Sequence, residues 1–234
     1  MDIQHLIQVF ELESKLLDAT LRQHPALRPL FSRNFLNVDM GVLKQSYLQL
    51  LKLKADYVQY TVPALRAAGQ ALRNGDEEDR RWSELFLGYA AGETDEQGDY
   101  GHHIWARDDM KALGASPELL NAPPHPHAVL YGRFFVDEAG QHPYAILGAK
   151  GVLEHFSIRA ADDLVGGLIE SGIPNAENAA NFIRQHGSLD IDHVREGNRN
   201  LEKLQHAQKR FQILEGAYFT SGTYRSLVHH ALPT

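Results

Sequence analysis

Cysteine is absent from this 234-residue chain, which excludes a disulfide framework, thiolate zinc sites, iron–sulfur clusters and any cysteine nucleophile. Chemistry here must use oxygen and nitrogen donors. No stretch approaches the roughly 18 consecutive apolar residues that a membrane span needs. The opening MDIQHLIQVFELESKLLDA carries acids where a secretory signal would carry bases, so a cytoplasmic protein is expected. A basic excess is missing as well: 23 Lys+Arg against 30 Asp+Glu leave a net charge of −7. With no linear basic run to offset that charge, neither nucleic acid nor a membrane surface is an expected partner.

What the chain does have is 43% hydrophobic and 23% charged residues with a mean hydropathy of −0.36, the balance of a globular protein and not of a disordered or fibrous one. Its length fits one or two domains at about 150 residues each. The helical pattern described next favours a single helical-bundle domain over residues 1–234. Histidine is plentiful, at 13 residues, and imidazoles are natural metal ligands and proton carriers.

Apolar residues recur at three- and four-residue steps nearly throughout, the mark of helices with one buried face. Ile3, Leu6, Ile7, Phe10 and Leu17 predict a first helix that ends before Pro25. A second starts after Asp39, a suitable N-cap, and carries Leu43, Tyr47, Leu50, Leu51 and Val58 toward Pro63, where the missing N–H breaks it. Apolar spacing then resumes through Leu72. The Asn74-Gly75-Asp76 turn starts a third, through Trp82, Leu85, Phe86 and Tyr89 to about Leu113. Residues 114–127 hold four prolines and read as a loop without structure of its own. A helix from Ala128 breaks near Gly140–Pro143 and resumes through Leu147, Leu153, Phe156, Ile158 and Leu164 to Ser171-Gly172. Further helices are expected over 176–185, 189–206 and onward to His230. No alternating strand pattern stands out.

Six chemistry-bearing residues fall at helical spacings: Glu96, His103, Glu154, His186, Asp190 and His193. Seven residues return an α-helix to within about 20° of its starting direction, so Glu96 and His103 share a face on a continuous helix. His186, Asp190 and His193 climb one face at steps of four and three, and Glu154 adds an acid from an otherwise apolar helix. Three carboxylates and three imidazoles without sulfur suit a pair of ions such as iron or manganese better than structural zinc or calcium. Two divalent cations would set +4 against −3. Solvated helix faces are the plain alternative. Asp99 and His102 form a competing pair, and Glu93, Asp95, His155 and Asp192 stand near the same positions.

The order Glu, six residues, His, in ETDEQGDYGHH; then Glu154 in AKGVLEHFS; then His, three residues, Asp, two residues, His in RQHGSLDIDHV resembles the haem-oxygenase-like di-iron oxidase and oxygenase superfamily. The gaps of 51 residues from His103 to Glu154 and 32 from Glu154 to His186 are similar to that family's. The resemblance implies an all-α, single-domain haem-oxygenase-like (TENA-like) seven-helix bundle, the architecture of haem oxygenases, thiaminase-like proteins and the cofactor-free oxidases of quinone-cofactor synthesis. It implies a non-haem di-iron oxidase or oxygenase that activates O₂, with Glu96, His103, Glu154, His186, Asp190 and His193 as ligands of two Fe(II) ions, manganese being the other candidate. The substrate would be a small organic molecule, amino-acid- or fatty-acid-like. Asp99, Asp192 and Tyr100 would orient the histidines; an ordinary surface ion pair is the first expectation for Arg159, and a substrate carboxylate the second. A homodimer is the default for a small bundle.

Shared architecture does not carry shared function, so other readings stand beside this one. The thiaminase-like branch needs a cysteine that is absent. Haem binding needs an imidazole from the first helical region, where His5 and His24 are available, but it leaves the six residues unexplained. The branch that builds p-aminobenzoate from an internal tyrosine uses a lysine on or after the mid-chain helix, and none occurs between Lys150 and Lys203. A cofactor-free oxidase or a non-catalytic helical partner protein completes the alternatives.

Overall fold

The computed structural model describes residues 2–93 and 101–233. Among them are eleven α-helices and one 3-10 turn, with no strand. In chain order these are α1 (Ile3–Gln23), α2 (Arg28–Ser32), α3 (Met40–Val58), α4 (Thr61–Leu72), α5 (Glu77–Gly92), α6 (His103–Ala112), α7 (Pro117–Leu120) and α8 (Pro126–Asp137). There follow α9 (Ala145–Glu170), the 3-10 turn Glu177–Ala179, α10 (Asn181–Leu201) and α11 (Ala207–Ala231). None of these helices is long and apolar enough to cross a membrane.

The apolar stripes set the helices against each other. Leu6, Phe10 and Leu17 of α1, Leu43, Tyr47, Leu50 and Leu51 of α3, and Trp82 and Phe86 of α5 are all buried in one contiguous core. Side-chain oxygens at the predicted starts satisfy backbone donors that a helix leaves free. Asp39 accepts from Gly41 N and Val42 N, and Asp76 and Asp79 form a reciprocal capping box.

Seven helices were expected, and the larger number has local causes. The second predicted helix divides into α3 and α4 at residues 59–60, just ahead of Pro63. Proline is tolerated in a first turn because that N–H would be unpaired anyway, so the break falls before it. The third divides into α5 and α6. The loop at 114–127 contains α7, whose N-cap Ser116 accepts from Leu119 N at 3.3 Å. Conversely, the expected break between residues 185 and 189 is absent, and α10 runs unbroken through Gly187.

The mid-chain helix α9 packs against α1, α2, α10 and α11, and its small residues permit close crossings. A Cβ at Gly216 of α11 would strike the Ala145 carbonyl, and one at Gly187 of α10 would strike the Ala161 side chain. These contacts bring the backbones of α10 and α11 onto α9, and so fix how deeply α10 seats its polar face.

Asp109 of α6 ties that seating down from the other side. Its Oδ2 accepts from Phe182 N at 2.8 Å, and its Oδ1 from Asn181 Nδ2 at 3.3 Å, which caps the start of α10 from a separate helix. Burial pushes the Asp109 carboxyl up to about 6 in spite of these bonds. Because the folded value lies above the ordinary 3.8, the folded chain keeps a proton that the unfolded chain releases. This group's contribution to stability is therefore full below about pH 4 and is lost as pH rises through about 6. We expect D109N, which keeps an acceptor and carries no charge, to flatten that part of the stability–pH profile measured by urea unfolding. D109A lacks the acceptor and should lose about 1 kcal/mol across the range.

Candidate metal centre

Lys150, Glu154 and Ser157 lie on the side of α9 that faces the polar side of α10, near the close contact at Gly187. Glu154 and Asp190 are 8% and 5% exposed. Two buried acids facing one another require positive partners. Ligand atoms of Glu154, Asp190 and His193 all lie within 4.8 Å of one another. His193 Nδ1 stands 3.2 Å from Asp190 Oδ1 and 3.6 Å from Glu154 Oε1. The hydrogen bond to Asp190 raises the His193 imidazole above its ordinary value, with burial opposing.

A second group adjoins the first across a common cavity of about 100 Å³. His186, one turn before Asp190, donates from Nδ1 to Phe182 O at 2.9 Å, which leaves Nε2 directed at His102 Nδ1, 3.2 Å away. This is the tautomer arrangement of a metal-binding histidine, with the outer nitrogen held by a backbone carbonyl. His102 Nδ1 also stands 3.0 Å from Glu93 Oε2, and its ring stacks on Trp105. Burial works against the Glu93 carboxylate, yet its hydrogen bond with His102 outweighs that and holds it down at about 2. Burial pushes the His186 imidazole down, which keeps it neutral and able to donate a lone pair.

Charge within the site is partly answered by the chain itself. Lys150, one turn before Glu154 on α9, places Nζ 2.5 Å from Glu154 Oε1 and over the Tyr89 ring. Burial disfavours its ammonium, but Glu154 and Glu93 prevail and hold it above the ordinary lysine value. Burial still pushes the Glu154 carboxyl up to about 7 against the pull of Lys150, with Asp190 adding to the rise. One ammonium does not neutralise three acids. Ser157 donates to Asp190 Oδ2 and to the Glu154 carbonyl, fixing the rotamer of the Asp190 side chain.

Of the six residues singled out from spacing, the structure brings Glu154, His186, Asp190 and His193 to this crossing, while Glu96 lies outside the described residues. His103 is not brought there and needs correcting. It lines a different cavity with Lys52, Asp56, Arg107 and Leu120, and burial, Arg107 and His102 lower its imidazole. The seven-residue count assumed one helix through residue 103, whereas α6 begins at His103. Adjacent residues diverge by about 100° there, so His102 takes the inward direction and His103 cannot. Glu93, named from sequence as a neighbour, and His102, named with Asp99 as a competing pair, line the cavity.

Other expected helpers stand elsewhere. Asp192 is exposed and pairs with Arg195 at 2.7 Å, and Arg159 is exposed. His155 donates from Nδ1 to Gly151 O at 2.7 Å and packs near Phe10. Asp95, Asp99 and Tyr100 lie outside the described residues. Lys54 and Lys150 line the cavity, and both fall outside the lysine-free stretch between Lys150 and Lys203 on which the sequence reading rested. Lys54 was visible as a charge on the apolar stripe Tyr47, Leu50, Leu51, Lys54, Val58 of α3.

Comparison with known proteins sets this geometry in a lineage. The model of a family described as an iron-containing redox enzyme matches residues 47–221, a span that includes every residue of the crossing. A domain of unknown function with a haem-oxygenase-like fold from Shewanella denitrificans OS217 is similar with a TM-score of 0.75, at 14% identity over 99% of this chain and 92% of that one. A CADD-like protein of unknown function from Nostoc punctiforme PCC 73102 is similar with a TM-score of 0.60, at 15% identity over 96% of this chain and 99% of that one. These likenesses establish the haem-oxygenase-like fold. Among curated proteins none matches.

The separation of His102 from His103 gives a direct prediction. In anaerobic Fe(II) titrations followed by chromophoric chelator competition, H102A should weaken iron uptake by about tenfold or more. H103A should bind as the parent does. The opposite ranking would return the ligand role to His103.

Proposed function

The chain belongs to the iron-containing redox enzyme family, and on that premise we propose that it is a non-haem di-iron oxidase or oxygenase that uses O₂ to oxidise a small organic substrate. The observation that carries this reading is the convergence of buried Glu154 and Asp190 with His193, beside a second set, Glu93, His102 and His186, on the same cavity. Together they supply three carboxylates and three imidazoles, a donor set suited to iron or manganese. Glu154, Asp190 and His193 would hold one ion; His186, His102 and Glu93 would hold the other. Glu96 is the competing carboxylate for that second position.

Bound iron would supply the open coordination positions and the electrons for reducing O₂. The chain's own residues do the rest. The Phe182 carbonyl sets the His186 tautomer, Ser157 aims Asp190, and Asp109 anchors the helix that carries three of the donors. Lys150 holds charge on the site and has to yield Glu154 to a metal ion. Apolar walls limit water around the reacting substrate.

A haem-binding alternative finds no support at this cavity. His5 is exposed, and buried His24 packs near His229 rather than toward His186. The protein expressed with supplemented iron, or loaded anaerobically, should carry about two iron ions per chain and consume O₂ on exposure to air. E154A should bring iron content to one ion or fewer, as read by elemental analysis, with helicity unchanged by circular dichroism. Iron content unaltered in E154A contradicts the assignment.

A further inference from the structure

The cavity has a second polar end that the metal donors do not use. Lys54 of α3 is 5% exposed and lines the same cavity as Glu154, His186 and Asp190. Three other lysines drawn into the fold are paired: Lys52 with Asp56 at 2.5 Å, Lys150 with Glu154 at 2.5 Å, and Lys209 with Asp79 at 2.7 Å. Among the described residues Lys54 has no carboxylate in ion-pair contact. Its hydrogen bond is a long one, to Tyr57 Oη at 3.4 Å.

Aromatic rings offset part of the cost that burial places on its charged form. The Nζ atom lies 4.7 Å from the Phe156 ring centroid, 4.8 Å from that of Tyr224 and 5.7 Å from that of Tyr57, and ring faces attract a cation. Rings alone do not replace lost hydration, since a buried ammonium without an anion is costly. Burial pushes Lys54 down to about 7, with Asp190 pulling the other way. An incoming anion would complete this environment.

We propose that Lys54 is a specificity-determining residue that anchors the carboxylate of a substrate whose remaining body is apolar, with that body extending along the cavity toward Glu154 and Asp190. A single positive charge at this end matches one carboxylate. A phosphate dianion would call for more donors, and neighbouring Lys52 is already engaged by Asp56 and the Pro123 carbonyl. Leu21, Val58, Leu65, Ile146 and Leu164 wall the cavity, with Thr61 and Tyr131 also on its lining. Between the amino-acid-like and fatty-acid-like substrates left open by the sequence, these apolar walls favour the fatty-acid-like one. The word substrate rests on the oxidase reading; the binding does not.

The test is calorimetric titration of the full chain, with no metal added, using hexanoate, octanoate and decanoate, and using methyl octanoate and octylamine as uncharged and cationic counterparts. At least one acid should bind about tenfold or more tightly than the ester, the range for a hydrogen bond to a charged group. K54M should bring acid and ester to equal affinity, and K54R should restore part of the preference. Equal binding of acid and ester by the parent chain, or binding of none of the acids, overturns the proposal without reference to any variant. Iron uptake is measured on the same preparations. A K54M protein with parental iron content but no acid preference isolates the role of Lys54. Loss of acid preference together with iron content and helicity would instead mark a structural role and overturn the proposal. Parent protein that takes up iron but binds no acid defeats this proposal alone, and one that binds acid but no iron defeats the oxidase reading alone.

Discussion

Two carboxylates buried against each other, Glu154 on α9 and Asp190 on α10, are the constraint around which the rest of this molecule is arranged. An ionised carboxylate loses strongly favourable hydration when taken into a helical core, and a second one nearby adds repulsion. Ordinary packing would place a leucine or alanine there. The chain instead surrounds the pair with Lys150, His193 and Ser157, which answer the charge in part and hold the acids apart from solvent. Such a crossing is stable only if the two helices are set at a fixed depth. The close approach at Gly187 and the remote capping of α10 by Asp109 supply that setting.

The site's chemistry follows from where the two helices come from. Helix α10 presents His186, Asp190 and His193 along one side, so a single well-anchored element delivers half of the donors. Helix α9 brings Glu154 in from a segment whose other buried residues, Ala149, Val152 and Phe156, are apolar. Glu93 and His102 come from the ends of α5 and α6, where side-chain direction is set by how a helix starts and stops. Metal loading would therefore depend most on the order of that second pair, while the Glu154–Asp190–His193 group is fixed by packing. Membership of an iron-containing redox family agrees with a donor set rich in oxygen and nitrogen and free of sulfur.

Much of this was readable in the sequence wherever periodicity governs. The buried stripes of α1, α3 and α5 and the shared face of His186, Asp190 and His193 follow from the 3.6-residue repeat, and the N-cap Asp39 and the turn ending at Asp76 from residue type. That repeat carries no information across a helix boundary, which is why spacing pointed to His103 while the fold puts its neighbour His102 on the cavity. Helix number was likewise undercounted, because short elements such as α2 and α7 are too brief to show a period. Lys54 and Lys150 went unassigned for another reason. A lysine on an apolar stripe reads equally as a solvent-reaching side chain, and only the folded cavity shows that Lys54 ends among aromatic rings.

On the proposed function, the crossing of α9 and α10 is a cation site and not merely a buried ion-pair network. Anomalous diffraction at the iron edge, from crystals soaked anaerobically in Fe(II), tests it most directly. Two anomalous peaks are expected, one bonded to Glu154, Asp190 and His193 and one to His186, His102 and Glu93, with the Lys150 ammonium displaced from Glu154. Lys150 still seated on Glu154, with no peak at the crossing after saturating iron, would contradict it.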